Sequence, residues 1–168
     1  MKHKVNEIDI AHYRSLALQH QKEHRQVLAK LKKKPPKNLD KLALEIHDSV
    51  FSRIDCLTCA NCCKTLGPDL KEADIERISK FLRMKPAAFE ATYLRVDEDG
   101  DKVLQTMPCP FLGADNYCSI YEVRPKACRE FPHTDRKKIY QINHLTIQNT
   151  VYCPAAYEFV EALKYRLK

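Results

Sequence analysis

Glycine is scarce in this sequence. The chain of 168 residues has only three glycines, Gly67, Gly100 and Gly113, and they lie far apart. Neither the G-x-G-x-x-G pattern of dinucleotide-binding loops nor the G-x-x-x-x-G-K-[ST] pattern of phosphate-binding loops can be formed from them. This scarcity excludes a nucleotide cradled by a glycine-rich loop, and it argues against a Rossmann-type methyltransferase or dehydrogenase.

Long apolar segments are lacking as well. No apolar run approaches the roughly 20 residues that a membrane span requires. The opening MKHKVNEIDIAHYRS has neither the apolar core nor the small-residue cleavage site of a secretory signal. We therefore expect a cytoplasmic protein without a membrane span, whose eight cysteines do not form four disulfides because the compartment is reducing. Export by another route would restore the disulfide interpretation.

Cysteine, by contrast, is abundant. A single cysteine is often only a small buried apolar residue, but the stretch CLTCANCC at residues 56–63 places four thiols within eight positions. In a chain of this size, such a C-x2-C-x2-C-C pattern favours metal binding. The four clustered and four dispersed thiols fit either two four-ligand sites or one cluster with spare thiols.

The spacing within CLTCANCC limits how its thiols act together. If the stretch is helical, Cys56, Cys59 and Cys63 share one face and Cys62 points elsewhere. If the chain is extended at Cys62 and Cys63, their side chains face opposite ways. In both cases the adjacent thiols are expected to diverge, so that one of them serves a second metal, lies beside a ligand or is a reactive thiol.

Hydrophobic periodicity predicts a mostly helical protein with one hairpin. The chain is 44% hydrophobic, enough to bury a core. The segment at residues 93–106 predicts a hairpin that turns at Asp99-Gly100. Apolar residues at helical spacing, together with prolines at helix starts, predict helices over 7–31, 39–53, within 68–84, within 84–94, from Pro125 through Cys128, and from Pro154 to about Tyr165.

The double proline at Pro35 and Pro36 marks a predicted boundary, because proline cannot continue a helix. We expect residues 1–37 to form a basic N-terminal helix with a Lys/Pro linker, and residues 38–168 to form the cysteine-cluster metal-binding domain. The predicted fold class is α+β, mostly helical: a small metal-centred domain with one short antiparallel hairpin and an N-terminal helical extension.

The order of the cysteine motifs resembles that of a known family. CxxCxxCC is followed by CPFL, then by CSIYEVRPKACREFP and a last CP, as in the YkgJ-type cysteine-cluster family, described as a zinc- or iron-chelating domain. A related pattern occurs in flagellin lysine N-methylase, so methyl transfer is the enzymatic alternative to a metal-binding module. The resemblance implies that the metal-binding residues are Cys56, Cys59, Cys62, Cys63, Cys109, Cys118, Cys128 and Cys153.

The residues beside the cysteines bear on the choice between zinc and an iron–sulfur cluster. A zinc knuckle often has glycine just after its second cysteine, whereas Ala60 follows Cys59 here. Cys109 and Cys153 each precede a proline, as does the last cysteine of ferredoxin-type ligand runs. No stretch matches C-x2-C-x2-C-x3-C, however, so the sequence favours an iron–sulfur cluster over zinc only slightly.

Two arginines flank one of the dispersed cysteines. Buried thiolates on a metal carry negative charge that must be offset. Arg124 and Arg129 lie on either side of Cys128 and are predicted to donate hydrogen bonds to cysteine sulfurs. The alternative is that both are surface arginines.

The segment HQKEH at residues 20–24 matches the H-x-x-E-H pattern of some metallopeptidases. The pattern is short, the surrounding helix is strongly polar, and the sequence marks no third ligand. We therefore interpret His20 and His24 as part of a solvated helix face.

The N-terminal region is basic, with 11 Lys and Arg against 6 Asp and Glu through Val50. Five lysines, at positions 30, 32, 33, 34 and 37, surround the double proline, which is expected to keep the segment extended. They predict either a solubilising run or a weak, sequence-independent contact with RNA phosphates. The function expected overall is a structural or redox metal module that acts with a protein partner.

Overall fold

The computed structural model describes residues 8–167. It confirms the predicted class, because the described chain is mostly helical and has one two-stranded antiparallel sheet. The helices are α1 Ile10–Lys33, α2 Leu39–Phe51, α3 Cys56–Cys59, α4 Asn61–Thr65, α5 Glu72–Phe81, α6 Pro86–Tyr93, α7 Lys126–Glu130, α8 Asn143–Tyr152 and α9 Pro154–Arg166; the strands are β1 Leu94–Val96 and β2 Lys102–Leu104; 3-10 turns cover Tyr121–Val123 and Ile139–Ile142.

Helix α1 is longer at its carboxyl end than predicted. It begins after Asp9, whose side chain caps it by accepting the backbone N–H of His12 at 2.9 Å. Lys30, Lys32 and Lys33 form its last turn, where their charge is favourable to the helix dipole. The expectation of an extended lysine segment is therefore wrong for Lys32 and Lys33, whereas Lys30 also lies within the predicted helix. The start predicted at residue 7 lies outside the described residues.

The described chain divides into two compact units. Unit 1 comprises residues 8–59 and 132–167. In it, α1 packs against α8 and α9, and α2 packs against α9. The buried residues of its core are Leu28, Leu31, Leu39, Leu42, Ala43, Ile46, Val50, Ile139, Ile147, Ala155, Phe159, Val160 and Leu163.

Two features of unit 1 differ from the sequence predictions. Helix α8 was not predicted. It is part of the folded unit, and its polar residues Thr146, Asn149 and Thr150 are buried. His24 on α1 is fully buried, and its Nε2 lies 2.6 Å from a carboxylate oxygen of Glu161 on α9. The interpretation of HQKEH as a solvated helix face is therefore wrong for His24.

Unit 2 comprises residues 60–131 and contains the hairpin. Leu94 pairs with Leu104 in its register, and the chain turns where predicted, with Gly100 at φ 84°. The Asp97 side chain stabilises this turn by accepting the backbone N–H groups of Asp99 and Asp101. The buried residues of the unit 2 core are Leu70, Ile75, Ile78, Phe89, Leu94, Leu104, Phe111 and Ile120.

The remaining predicted helices are present near their predicted positions. They are α2, α5, α6, α7 and α9, with ends that differ by a few residues from the predicted ones. Within residues 8–167, no helix combines the length and the apolar character that crossing a membrane requires.

Candidate metal centre

The CLTCANCC motif is interrupted at Ala60. Cys56 and Cys59 lie on α3, which Asp55 caps by accepting the backbone N–H of Leu57 at 2.9 Å. Ala60 then adopts φ 45° and ψ 18°, and α4 begins at the next residue. The motif is therefore neither one continuous helix nor an extended segment. The division between the units falls at the same place, so the motif contributes two thiols to each unit.

Ala60 makes a left-handed turn that glycine would make more easily. A residue with a Cβ pays about 1–2 kcal/mol to adopt this conformation, whereas glycine adopts it without that steric cost. The lack of glycine after Cys59 was an argument against zinc. Because Ala60 itself adopts the positive φ, the lack of glycine at this position does not disfavour zinc.

The adjacent thiols lie close together, and the expectation that they diverge is wrong. The Sγ atoms of Cys62 and Cys63 are 4.0 Å apart. Two sulfurs on one tetrahedral ion, with bonds of about 2.3 Å, would be separated by roughly 3.8 Å. A hydrogen bond from Cys62 lowers the pKa of Cys63 to about 7; burial opposes this shift and Lys64 adds to it. Cys63 is therefore readily deprotonated near neutral pH.

Four thiols of unit 2, which we name the quartet, interact electrostatically: Cys63, Cys109, Cys118 and Cys128. The backbone N–H of Cys109 donates to the carbonyl of Cys63 at 2.8 Å. An isolated antiparallel bridge pairs Leu112 with Cys118. Cys128 is carried by α7, as predicted. Thiols that lie up to 65 positions apart in the numbering are thus near enough in unit 2 for their charges to affect one another.

Backbone N–H groups donate to two sulfurs of the quartet. The sulfur of Cys109 accepts from Phe111 and Leu112, and that of Cys118 accepts from Ile120. Burial nevertheless raises the pKa of both thiols, because it outweighs the hydrogen bonds that favour the thiolate. Donors of this kind offset charge on a metal-bound sulfur.

Burial and neighbouring charges disfavour deprotonation of the Cys128 thiol. Desolvation by surrounding protein atoms raises the pKa of the Cys128 thiol, although the residue keeps an exposed surface. The charges of Cys63, Cys109 and Cys118 raise it further. A metal ion removes this mutual repulsion, because a coordinating thiol is deprotonated outright. Soft thiolate donors select zinc or iron–sulfur clusters, so the chemistry of this donor set fits either group.

Arg124 brings positive charge to the quartet. Its charge lowers the pKa of Cys118 and of Cys128, opposing the larger effect of desolvation. Its guanidinium carbon lies 3.8 Å from the ring centroid of Tyr121, and its Nη1 donates to the Tyr121 carbonyl at 2.7 Å. Arg129 is exposed, and its backbone N–H donates to the carbonyl oxygen of Pro125. A hydrogen bond from either arginine to a sulfur stays a prediction.

Unit 1 contains a second group of thiols, Cys56, Cys59 and Cys153, which we name the trio. Cys153 immediately precedes α9, and its sulfur accepts the backbone N–H groups of Ala155 and Ala156 at the start of that helix. Burial raises the pKa of Cys153 to about 12, and the charges of Cys56 and Cys59 contribute to this rise. Seven of the eight cysteines therefore fall into two groups that their spacing does not reveal, and the eighth, Cys62, lies beside Cys63 of the quartet.

Two residues of α5 that the sequence does not single out hold the chain before Cys128. Arg77 donates to the carbonyls of Val123 and Arg124 at 3.2 and 3.0 Å. Asp74 forms an ion pair with Arg77. No local pattern marks these residues, because each carries out its role through a contact with a distant segment.

The described chain is a mostly helical, cysteine-rich domain whose cysteines lie in loops and in short helices. The comparison with known families gives the same class. Residues 55–154 match the CxxCxxCC family, described as "Putative zinc- or iron-chelating domain". This match covers more than half of the chain, and the chain belongs to that family. No curated protein and no solved structure matches it.

Proposed function

We propose that the protein is a metal module with two thiolate centres. The quartet of Cys63, Cys109, Cys118 and Cys128 holds the metal in unit 2, and the trio of Cys56, Cys59 and Cys153 supplies thiolates to a metal in unit 1. The observation that carries the proposal is the electrostatic interaction within the quartet, in which the charge of Cys63 raises the pKa values of Cys109, Cys118 and Cys128. Bound metal would supply the charge that makes this cluster stable.

In this proposal the module is cytoplasmic and acts with a protein partner, in a structural or a redox role. A zinc ion in the quartet would serve structure alone, since zinc has no redox chemistry. An iron–sulfur cluster would also carry electrons, at a potential that hydrogen bonds to the sulfurs help to set. The backbone donors at Cys109 and Cys118 support either role.

The deciding experiment is analysis of zinc, iron and acid-labile sulfide in protein purified without oxygen. Zinc without sulfide would identify a zinc module, whereas iron accompanied by comparable sulfide would identify an iron–sulfur module. Protein that folds and contains neither metal would overturn the proposal. Reconstitution with each metal in turn then tests whether the bound amount rises to a stoichiometric limit.

A second proposed contact is weak binding of RNA by the basic end of α1. The observation that favours it is the exposure of five lysines within eight positions. Within residues 8–167, none of the five forms an ion pair. Their charges are therefore available to phosphates, and such a contact would be independent of base sequence. The five are Lys30, Lys32, Lys33, Lys34 and Lys37.

A further inference from the structure

Three ligand atoms of unit 1 converge at a place far from the cysteines in sequence. They belong to His20 and His24 on α1 and to Glu161 on α9, and they lie within 4.8 Å of one another. Oε1 of Glu161 is 2.6 Å from Nε2 of His24 and 3.7 Å from Nδ1 of His20. We propose that these residues bind a divalent transition-metal ion of the zinc class, independently of the thiols.

The donor set suits such an ion. Two imidazoles and one carboxylate form a known zinc ligand set, and the same combination binds other borderline divalent metals. With metal–ligand bonds of about 2.0–2.1 Å, tetrahedral ligand atoms are roughly 3.3 Å apart. The 3.7 Å separation between His20 and Glu161 is already close to this value. The hydrogen bond between His24 and Glu161 would widen as the ion replaces its proton.

Helix geometry and burial favour the site. Residues four apart on a helix lie on one face, so His20 and His24 present their rings to α9 together. The His24 side chain is fully buried, which fixes the ring, whereas those of His20 and Glu161 are 31% and 27% exposed. An ion can therefore reach the carboxylate and His20 from solvent while His24 binds it from the protein side.

Both carboxylate oxygens of Glu161 are held by a neighbour. Nζ of Lys164 lies 2.7 Å from Oε2 and donates to Oε1 at 2.9 Å, and Glu23 shares that ammonium at 3.2 Å. An ion bound at Oε1 would leave Lys164 with Oε2 and Glu23. Carboxylates that bind metals are commonly oriented by such partners, and Glu23 offsets the positive charge of Lys164. Because Glu23 of the H-x-x-E-H pattern is engaged with Lys164, the proposal is binding without peptide hydrolysis.

Tyr157 is the remaining neighbour of the site. Its hydroxyl lies 2.8 Å from Nδ1 of His20. In the metal-free state this hydroxyl and Glu161 each pair with one imidazole nitrogen, whereas the buried Nδ1 of His24 has no hydrogen-bond partner among the described residues. Ring contacts of Tyr157 with both histidines add to the link between α1 and α9. Metal binding exchanges the hydroxyl contact at Nδ1 of His20 for a metal bond. The two states differ in the ring environment of His20, which a spectroscopic experiment can follow.

The test uses full-length protein whose thiol centres are already loaded. Titration with Co²⁺ should add one ion per chain without sulfur-to-metal charge-transfer absorption, because the new ligands are nitrogen and oxygen. Glu161→Gln and His20→Gln should each weaken this binding at least about tenfold. His12→Gln, at an exposed position of the same helix, is the matched control and should bind as the wild type does.

A second measurement does not depend on the stability of the variants. One equivalent of Zn²⁺ added to the loaded wild-type protein should shift the ring resonances of His20 and His24 and leave those of His12 unchanged. Failure of the wild type to bind an extra ion, or equal binding by the Glu161→Gln variant, would overturn the proposal. Either result would leave the thiol centres untouched.

Discussion

The buried carboxylate of Asp74 accepts a hydrogen bond of 3.0 Å from the backbone N–H of Lys126, two residues before Cys128. The same oxygen pairs with Arg77, and the other oxygen accepts the backbone N–H of Lys71. One side chain of α5 thus fixes the start of the helix that carries a quartet thiol. Since Asp74 touches no sulfur, it acts by positioning Cys128.

We expect Asp74→Asn to lower the free energy of unfolding by about 2 kcal/mol, because it removes hydrogen bonds made to a buried charge. It should also weaken metal binding by the quartet, since Lys126 loses its anchor. Urea unfolding and metal affinity measure the two effects. The matched control is Glu76→Gln, at an exposed position of the same helix. A variant that loses stability but binds metal unchanged would show that Asp74 has no positioning role.

The stability contributed by Asp74 should depend on pH. Burial alone would raise the pKa of Asp74, but hydrogen bonds from Arg77, Lys126 and Lys71 together hold it below its usual value. A carboxylate with a lowered folded-state pKa stabilises the protein fully above its unfolded-state pKa of about 4. That stability is lost as the pH falls through the folded-state pKa. The difference in unfolding free energy between wild type and Asp74→Asn should therefore shrink below about pH 4.

The division of the thiols into two groups predicts which cysteine substitutions are additive. Cys63 and Cys109 both belong to the quartet. The variant that combines Cys63→Ser with Cys109→Ser should therefore lose no more metal than either single variant. Cys56 belongs to the trio, so Cys56→Ser and Cys109→Ser together should lose the sum of the single losses. Metal analysis per chain makes the comparison. Additive losses for Cys63 and Cys109 would contradict the grouping.

The adjacent thiols should not be equivalent. Cys63 interacts with the other quartet thiols, so Cys63→Ser should abolish the unit 2 centre. We expect Cys62→Ser to retain that centre, with a higher pKa for Cys63 because the hydrogen bond that lowers it is weakened. Metal content of the two variants, each combined with Cys56→Ser, isolates the unit 2 centre. Equal loss from both would show that Cys62 is an equal ligand there.

Ala60→Gly should stabilise the protein. Ala60 has a positive φ of 45°, which costs a residue with a Cβ more than it costs glycine. We expect a gain of about 1 kcal/mol in the free energy of unfolding, measured with the metal bound. The control is the same substitution at Ala29, an exposed position inside α1, where glycine should cost about 1 kcal/mol. Destabilisation by both changes would mean that the turn at Ala60 needs the methyl group.

The long helices and the hairpin could be predicted because apolar spacing, proline and the Asp-Gly turn are local signals. Helix α8 could not, since its sequence NHLTIQNTVY is rich in asparagine and β-branched residues that disfavour helix. The buried side chain of Asn149 finds its partner outside the helix, in a segment that only the folded chain brings near. Asn149 donates to the carbonyl of Pro132 and Thr150 to that of Ile147, both in buried surroundings.

The candidate metal residues could be identified from the sequence, but not how they are grouped. CLTCANCC is one motif in the sequence, and only the left-handed turn at Ala60 separates Cys59 from Cys62. The burial of His24 was equally inaccessible, because its partner Glu161 is 137 positions away. Spacing along the chain predicts contacts within an element, whereas these contacts join distant elements.

Metal removal should lower the melting temperature substantially. Of the eight cysteines, Cys109, Cys118 and Cys153 pack against the apolar cores as partly buried residues, and the quartet thiols repel one another once deprotonated. Part of the folding free energy should therefore come from the metal. Thermal unfolding before and after chelation measures the effect, and restoring the metal should reverse it. An unchanged melting temperature in protein shown to be metal-free would mean that the thiols are not structural ligands.

The proposed RNA contact must be tested without removing α1. Deleting residues 1–37 would take Leu28 and Leu31 out of the unit 1 core, so loss of binding would say nothing about charge. Substitution to glutamine leaves the core intact, because the lysines are exposed. The test variant carries Lys→Gln at positions 30, 32, 33, 34 and 37, and a control variant of equal net charge carries Lys→Gln at positions 22, 41, 80, 85 and 137.

Wild-type protein should bind a single-stranded RNA probe weakly, with an affinity that falls steeply as salt rises. Each phosphate contact adds about 0.7 to the magnitude of the slope of log K against log salt concentration, so the test variant should have a much shallower slope than wild type. The control variant should keep most of the slope, since its charges are dispersed over the surface. Equal affinity of the two variants, or binding indifferent to salt, would show that the lysine run only solubilises the end of α1.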